Sequence, residues 1–173
     1  YGKFNESSVL KSAEALYFFS MGLPAFAMIK VFSNFFFANH DTKTPFLISL
    51  ISVILNILIS VYYFRSIGFI IIPIATTISS WFNLILLYIL LKNKNLFNFN
   101  NTFVSRFLKI IISSILMGIF FNYLLEVFYD QLSFANSLKS IYLILSVVLG
   151  LIFYLFVSYL IKAFQLDDIK LKY

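Results

Sequence analysis

Residues 15–45 read ALYFFSMGLPAFAMIKVFSNFFFANHDTKTP, and this stretch decides the fold. From position 16 to position 38 the only charge is Lys30. An apolar run of about 18 residues or more is long enough to cross a bilayer core of roughly 30 Å as a helix. Backbone amides in hydrocarbon must bond within the protein, which leaves helices or closed barrels. The run lacks the ten-residue alternation of a barrel strand, so it reads as a helix. The polar residues 39–45 end it, and Pro45 suits the first turn of a second helix, where its missing N–H costs nothing.

Working outward, the same reading predicts further segments at 46–64, 69–91, 107–128 and 140–161, after the first at 16–38. The first fifteen residues are expected to be an extracytoplasmic flank or the end of a preceding helix. Arg65-Ser66-Ile67-Gly68 forms a tight connection, the Asn- and Lys-rich run 92–106 the longest internal loop, and 162–173 a charged tail. The chain as a whole is 61% hydrophobic and only 12% charged, with a mean hydropathy of +0.95. That is too little charge to clothe a soluble domain. The expected fold class is an all-α integral membrane protein with five transmembrane helices.

The net charge of +6 does not indicate nucleic acid, because the basic residues lie scattered between apolar runs. Loop positions explain them better. With five crossings, one side collects Lys43, Lys92, Lys94, Arg106, Lys109, Lys162, Lys170 and Lys172, and the other Lys3, Lys11, Arg65 and Lys139. The richer side is expected to be cytoplasmic, which places the C-terminus inside. The absence of cysteine excludes a disulfide framework and thiolate chemistry. The start at Tyr1, without methionine or signal peptide, suggests a C-terminal piece of a longer protein.

Three features within the membrane bear on function. A lysine near the bilayer centre costs roughly 2.5–3.5 kcal/mol on insertion scales, and so commonly faces a cavity or bundle interior. Lys30 lies about eight residues, roughly 12 Å, from its segment end, farther than snorkelling readily covers. Asn34, one turn on, offers it a polar neighbour, so both are candidate substrate-binding residues of a cavity. Second, Ser49, Ser52, Asn56 and Ser60 share one helix face, as do Ala75, Ser79 and Asn83 with Thr76 and Ser80 beside them. Such stripes let membrane helices approach and hydrogen-bond. The sharper alternative is a cation site using Asn56, Ser60 and Thr76, although sodium or magnesium would ordinarily want a carboxylate as well. Third, Ser114, Gly118 and Asn122, and likewise Ser146, Gly150, Tyr154 and Ser158, form ridges expected to bring the last two helices together. Catalysis is not expected: the lone histidine, His40, has Asp41 beside it but no second His, Cys or acid pair to complete a metal site, and no nucleophile elbow or phosphate-binding loop is present.

Gly22-Leu23-Pro24-Ala25-Phe26, Lys30-Val31, Phe36-Phe37-Ala38 and Asp41-Thr42-Lys43-Thr44-Pro45, in this order and spacing, closely resemble the MurJ (MviN) family of lipid II flippases. Phe37 stands where the family usually has tyrosine. Asn56 and the run from Ala75-Thr76-Thr77 to Trp81-Phe82-Asn83 also look like the family, and beyond Asn83 the likeness is compositional. The resemblance implies the C-terminal part of a fourteen-helix, MATE-like flippase of the bacterial inner membrane, with both ends of the full protein cytoplasmic. It further implies lipid II as substrate, a missing N-terminal lobe and membrane lipid as partners, and a last helix pair forming a groove for the undecaprenyl tail. No cofactor is implied, and sodium, protons and the membrane potential stand open as the drive. On that likeness Asp41, Thr42, Thr44 and Pro45 make a cytoplasmic hinge loop, with Asp41 capping the second helix. The family's main headgroup-gripping arginines lie on helices outside this chain. The rival readings are another transporter of the same superfamily, for polysaccharide lipids or cation-driven export, and a non-transporting membrane scaffold with a dry interior.

Overall fold

The computed structural model describes residues 6–94, 101–132 and 138–163, and every regular element among them is helical. The chain divides into two compact units, Tyr1–Asn98 and Phe99–Tyr173. Four stretches are long and apolar enough to cross a membrane, one of them the 51-residue stretch Lys43–Asn93 that contains two helices in succession.

In the first unit, α1 spans Glu6–Ala38, α2 Lys43–Ile67 and α3 Ile71–Asn93. The helix α1 begins well before position 16, where the apolar run starts. Residues 6–15 carry Glu6, Lys11 and Glu14 among good helix formers, so hydropathy falls there while helix propensity does not. Its 33 residues reach about 50 Å at 1.5 Å per residue, farther than the hydrocarbon thickness requires. Between α2 and α3 the chain turns at Gly68, whose φ of +76° suits a residue without a Cβ. A single 3-10 turn, Gly68–Ile70, leads into α3.

The central element is α3. It packs along α1 on one side and α2 on the other, whereas α1 and α2 scarcely meet. Thr77 Oγ1 donates to the Phe18 carbonyl at 2.7 Å and Trp81 Nε1 to the Met21 carbonyl at 3.0 Å. Farther along, the Phe32 and Tyr88 rings stack, so α1 and α3 run parallel. Gly22 permits their approach: a Cβ there would sit 3.2 Å from Thr77 Oγ1. The core closes with Ala25, Phe32, Phe36, Ile48, Leu84, Leu87 and Leu91. Most other large apolar side chains are exposed, as expected of helices whose outer surfaces meet lipid or other parts of a membrane protein.

The second unit pairs α4, Asn101–Val127, with α5, Lys139–Leu160. Phe120 and Phe153 stack at 4.2 Å, and Phe128 lies 5.7 Å from Tyr142, so the helices are antiparallel. The α5 ridge lies as expected, with Ser146, Gly150 and Ser158 buried and Gly150 facing the Phe121 ring. The α4 ridge does not. Ser114 and Asn122 are exposed, and nothing lies within 4 Å of a Cβ built on Gly118. Among the described residues of α4, those buried are instead Ser113, fully so, and Leu124. Ser114 and Asn122 donate to the carbonyls of Ile110 and Gly118 on their own helix, which removes any need for a partner across the pair. The loop residues 95–100 and 133–137, the tail from 164 with Lys170 and Lys172, and Lys3 lie outside the described residues.

Candidate functional site

The polar stripes of α2 and α3 meet. Because α1 and α2 stand apart on either side of α3, they leave a groove of about 380 Å³, with Phe26 and Ile29 of α1 on one wall. Its floor and other wall carry Ser49, Ser52, Asn56, Thr76, Ser79 and Asn83. Asn56 Nδ2 donates to Thr76 Oγ1 at 3.1 Å and to Ser79 Oγ at 3.2 Å. Ser60 Oγ donates to Asn56 Oδ1 at 3.3 Å. Toward the other end, Asn83 Nδ2 approaches Ser49 Oγ at 3.4 Å, which makes α2 antiparallel to α3.

The three cation-site candidates, Asn56, Ser60 and Thr76, are therefore neighbours. Their arrangement is that of a neutral cross-link between helices: the amide nitrogen faces the two hydroxyls of α3 and the amide oxygen accepts from Ser60. The hydroxyl protons of Ser52, Thr76, Ser79 and Ser80 go to backbone carbonyls one turn back. No carboxylate lines the groove, and among the described residues no cluster of three metal-ligating side chains occurs. This donor set suits packing better than a hard cation. Asn83 Oδ1 is buried without a hydrogen-bond partner among the described residues.

Lys30 and Asn34 are exposed, turned away from the face of α1 that carries Ala25, Phe32 and Phe36. Lys30 follows Phe26 of the groove wall by one turn and is not itself among the residues that line the groove.

The loop after α1 is built more tightly than its sequence suggests. The His40 N–H bonds to the Phe37 carbonyl and the Asp41 N–H to the Phe36 carbonyl, both at 3.0 Å, with His40 at a φ of +59°. This is a Schellman end in which histidine occupies the position usually given to glycine. It sets Asp41 at the head of α2. The formal N-cap, Thr42, makes no capping bond with its side chain. Asp41 does so instead: Oδ1 accepts the Thr44 N–H at 3.0 Å and Oδ2 the Thr44 hydroxyl at 2.7 Å. Pro45 is buried in the first turn.

One partner of this loop was not visible in the sequence. Lys94, at the end of α3, reaches Asp41 Oδ2 at 2.5 Å and lies over the Phe36 ring, 5.5 Å from its centre. The Lys94 ammonium, followed by the N–H and hydroxyl of Thr44, holds the Asp41 carboxyl well below the usual carboxylate range. A lone aspartate in one loop and a lysine at the end of the third helix, on the same predicted side, were the only available signal.

The chain is similar to known proteins along most of its length. The family described as lipid II flippase MurJ matches residues 1–143. The probable lipid II flippase MurJ of Rickettsia prowazekii is 31% identical over 173 aligned residues, 96% of this chain and 33% of that protein. The protein of the same name from Rhizobium tropici is 28% identical over 98% of the chain and 32% of its own length. That from Buchnera aphidicola subsp. Schizaphis graminum is 31% identical over 72% of the chain and 24% of its own length. The chain thus spans about a third of the length of the curated relatives that it covers most fully. With the match covering both the grooved three-helix unit and much of the helix pair, the chain belongs to the lipid II flippase MurJ family.

Proposed function

We propose that this chain is the C-terminal portion of a flippase that carries lipid II, the undecaprenyl-pyrophosphate-linked peptidoglycan precursor, across the bacterial inner membrane by alternating access. On this reading α1, α2, α3, α4 and α5 each cross the membrane once, as the last five of fourteen helices in a MATE-like protein. The tail after α5 and the Asp41–Pro45 loop are cytoplasmic, in keeping with the lysine and arginine distribution. The missing N-terminal lobe supplies the main headgroup contacts, and no cofactor takes part.

The observation that carries the reading is Lys30, in a chain of this family: an exposed lysine in an apolar helix, one turn from Phe26 of the groove wall. There it adds positive charge to the transport cavity and attracts a pyrophosphate, with Asn34 beside it. The Asp41–Pro45 loop serves as a cytoplasmic hinge between α1 and α2, and the apolar pair α4–α5 shelters the lipid tail. The test is complementation of cells depleted of their own flippase by full-length protein carrying Lys30→Ala. Reduced rescue at normal membrane abundance is expected, and full rescue would remove Lys30 from the mechanism. A cysteine at position 30 should react with aqueous thiol reagents; protection would favour a scaffold with a dry interior.

A further inference from the structure

The ion pair between Asp41 and Lys94 joins the ends of all three helices of the first unit. Asp41 sits where the Schellman end of α1 puts it, through its N–H on the Phe36 carbonyl. Its carboxylate caps α2 through Thr44. Lys94 is the C-cap of α3, anchored there by its own N–H on the Leu90 carbonyl at 3.0 Å. Its ammonium then spans the remaining distance, touching the carboxylate and the face of Phe36 together. Since α1 and α2 scarcely meet, their ends are related through the loop, through this lysine and through the core they share with α3.

We propose that Lys94 is the positioning residue of the Asp41–Pro45 loop, holding it on the end of α3 so that the hinge between α1 and α2 works from a fixed position during transport. The inference rests on the reading of that loop as a hinge of the flippase. The alternative is that Lys94 only adds stability, and exposure argues against it. The Lys94 side chain is 46% exposed and that of Asp41 23%, and a pair so open to water adds little to folding. The packed core of Phe32, Phe36, Leu87 and Leu91 is far better placed to hold the unit together. A weak but directional tie suits a loop whose position must be set without being frozen. Lys94 also lacks the features of a substrate ligand: it is turned onto a carboxylate, which neutralises it toward an anionic headgroup.

The test uses the full-length flippase in proteoliposomes or depleted cells, with lipid II flipping measured per folded protein in the membrane. Lys94→Met is expected to lower turnover about 2- to 5-fold, the range over which a partly exposed ion pair can bias an equilibrium, with the folded amount unchanged. Lys94→Arg, which keeps the charge and the donors, should retain at least half of the turnover. Full turnover in Lys94→Met overturns the proposal, and so does a fall in activity that only tracks a fall in folded protein. An equal loss in Lys94→Arg and Lys94→Met also overturns it, because charge would not be the cause. Asp41→Asn distinguishes failure of the hinge from failure of the Lys94 contact. If it is impaired while Lys94→Met is not, the hinge reading stands and the role of Lys94 fails. If Asp41→Asn flips lipid normally, the hinge reading itself fails and the role of Lys94 fails with it.

Discussion

The two units of this chain solve the same packing problem differently. In α1–α3, side-chain polar groups cross between helices: Asn56 to Thr76 and Ser79, Thr77 to the Phe18 carbonyl, Trp81 to the Met21 carbonyl. In α4–α5, Ser113, Ser114, Asn122 and Ser146 all donate to carbonyls of their own helix. There the contact is carried by the Phe120–Phe153 stack and by Phe121 against Gly150. Hydrogen bonds across helices fix register, since each donor must stay within reach of acceptors at set positions on the facing helix. Ring stacking and small-residue contact leave more latitude along the helix axes. Among these contacts, the first unit is thus held by directional bonds and the second by ring and small-residue packing.

The sharpest way to break this contrast is through the cores. Phe36 is fully buried, so Phe36→Ala should cost about 3–5 kcal/mol. Phe153→Ala, which loses one half-buried stacked ring, should cost nearer 1 kcal/mol. Thermal unfolding of the full-length protein in detergent would rank them, and equal shifts in Tm would erase the distinction. Next come the amides. Asn56→Leu removes the cross-link between α2 and α3 and should cost about 1 kcal/mol, within the range found for membrane hydrogen bonds. Asn122→Leu, exposed and bonded only to its own helix, should change stability by less than about 0.5 kcal/mol. A larger effect at Asn122 would show that α4 uses that face for a contact beyond α5.

Smaller effects sharpen the comparison at helix ends and glycines. Gly118→Ala should stabilise α4 by about 0.5–1 kcal/mol, because nothing lies within 4 Å of the added methyl and alanine is the better helix former. Gly22→Ala in α1 should not, since its methyl would meet Thr77 Oγ1 at 3.2 Å. His40→Gly should raise Tm slightly, as glycine takes the positive φ at the end of α1 without strain. The smallest expected effect is that of pH on the loop. Because Lys94 and Thr44 depress the Asp41 pKa, its contribution is complete above the unfolded carboxylate range and is lost as pH falls through the depressed value. Unfolding between about pH 5 and 8 should therefore show no slope from Asp41, and a slope that vanishes in Asp41→Asn would contradict this.

Much of the first unit could be read from residues. Pro45 at the head of α2, Gly68 at the turn and the matched stripes of Asn56, Thr76 and Ser79 each follow from local stereochemistry or helical spacing. The cap by Asp41 was legible for the same reason, because a cap acts over three residues. The start of α1 was not, since polarity marks where the membrane ends and says little about where a helix ends. The buried face of α4 was also out of reach. Ser113 and Ser114 are equally small and polar, and the apolar residues around them would suit lipid as well as a partner helix.

That ambiguity divides what each level of description could establish. Composition and apolar run length are sufficient for helices, membrane and approximate segment limits, because hydrocarbon leaves the backbone few alternatives. The motif from Gly22 to Pro45 was sufficient for the family. Tertiary structure alone made α3 the centre of its unit, left Lys30 exposed and outside the groove lining, and brought Lys94 to Asp41 across 53 residues of chain. In water, hydrophobic periodicity marks the buried face of a helix. In lipid the outer face is as apolar as the inner one, so periodicity loses its contrast and only the packed structure says which residues meet.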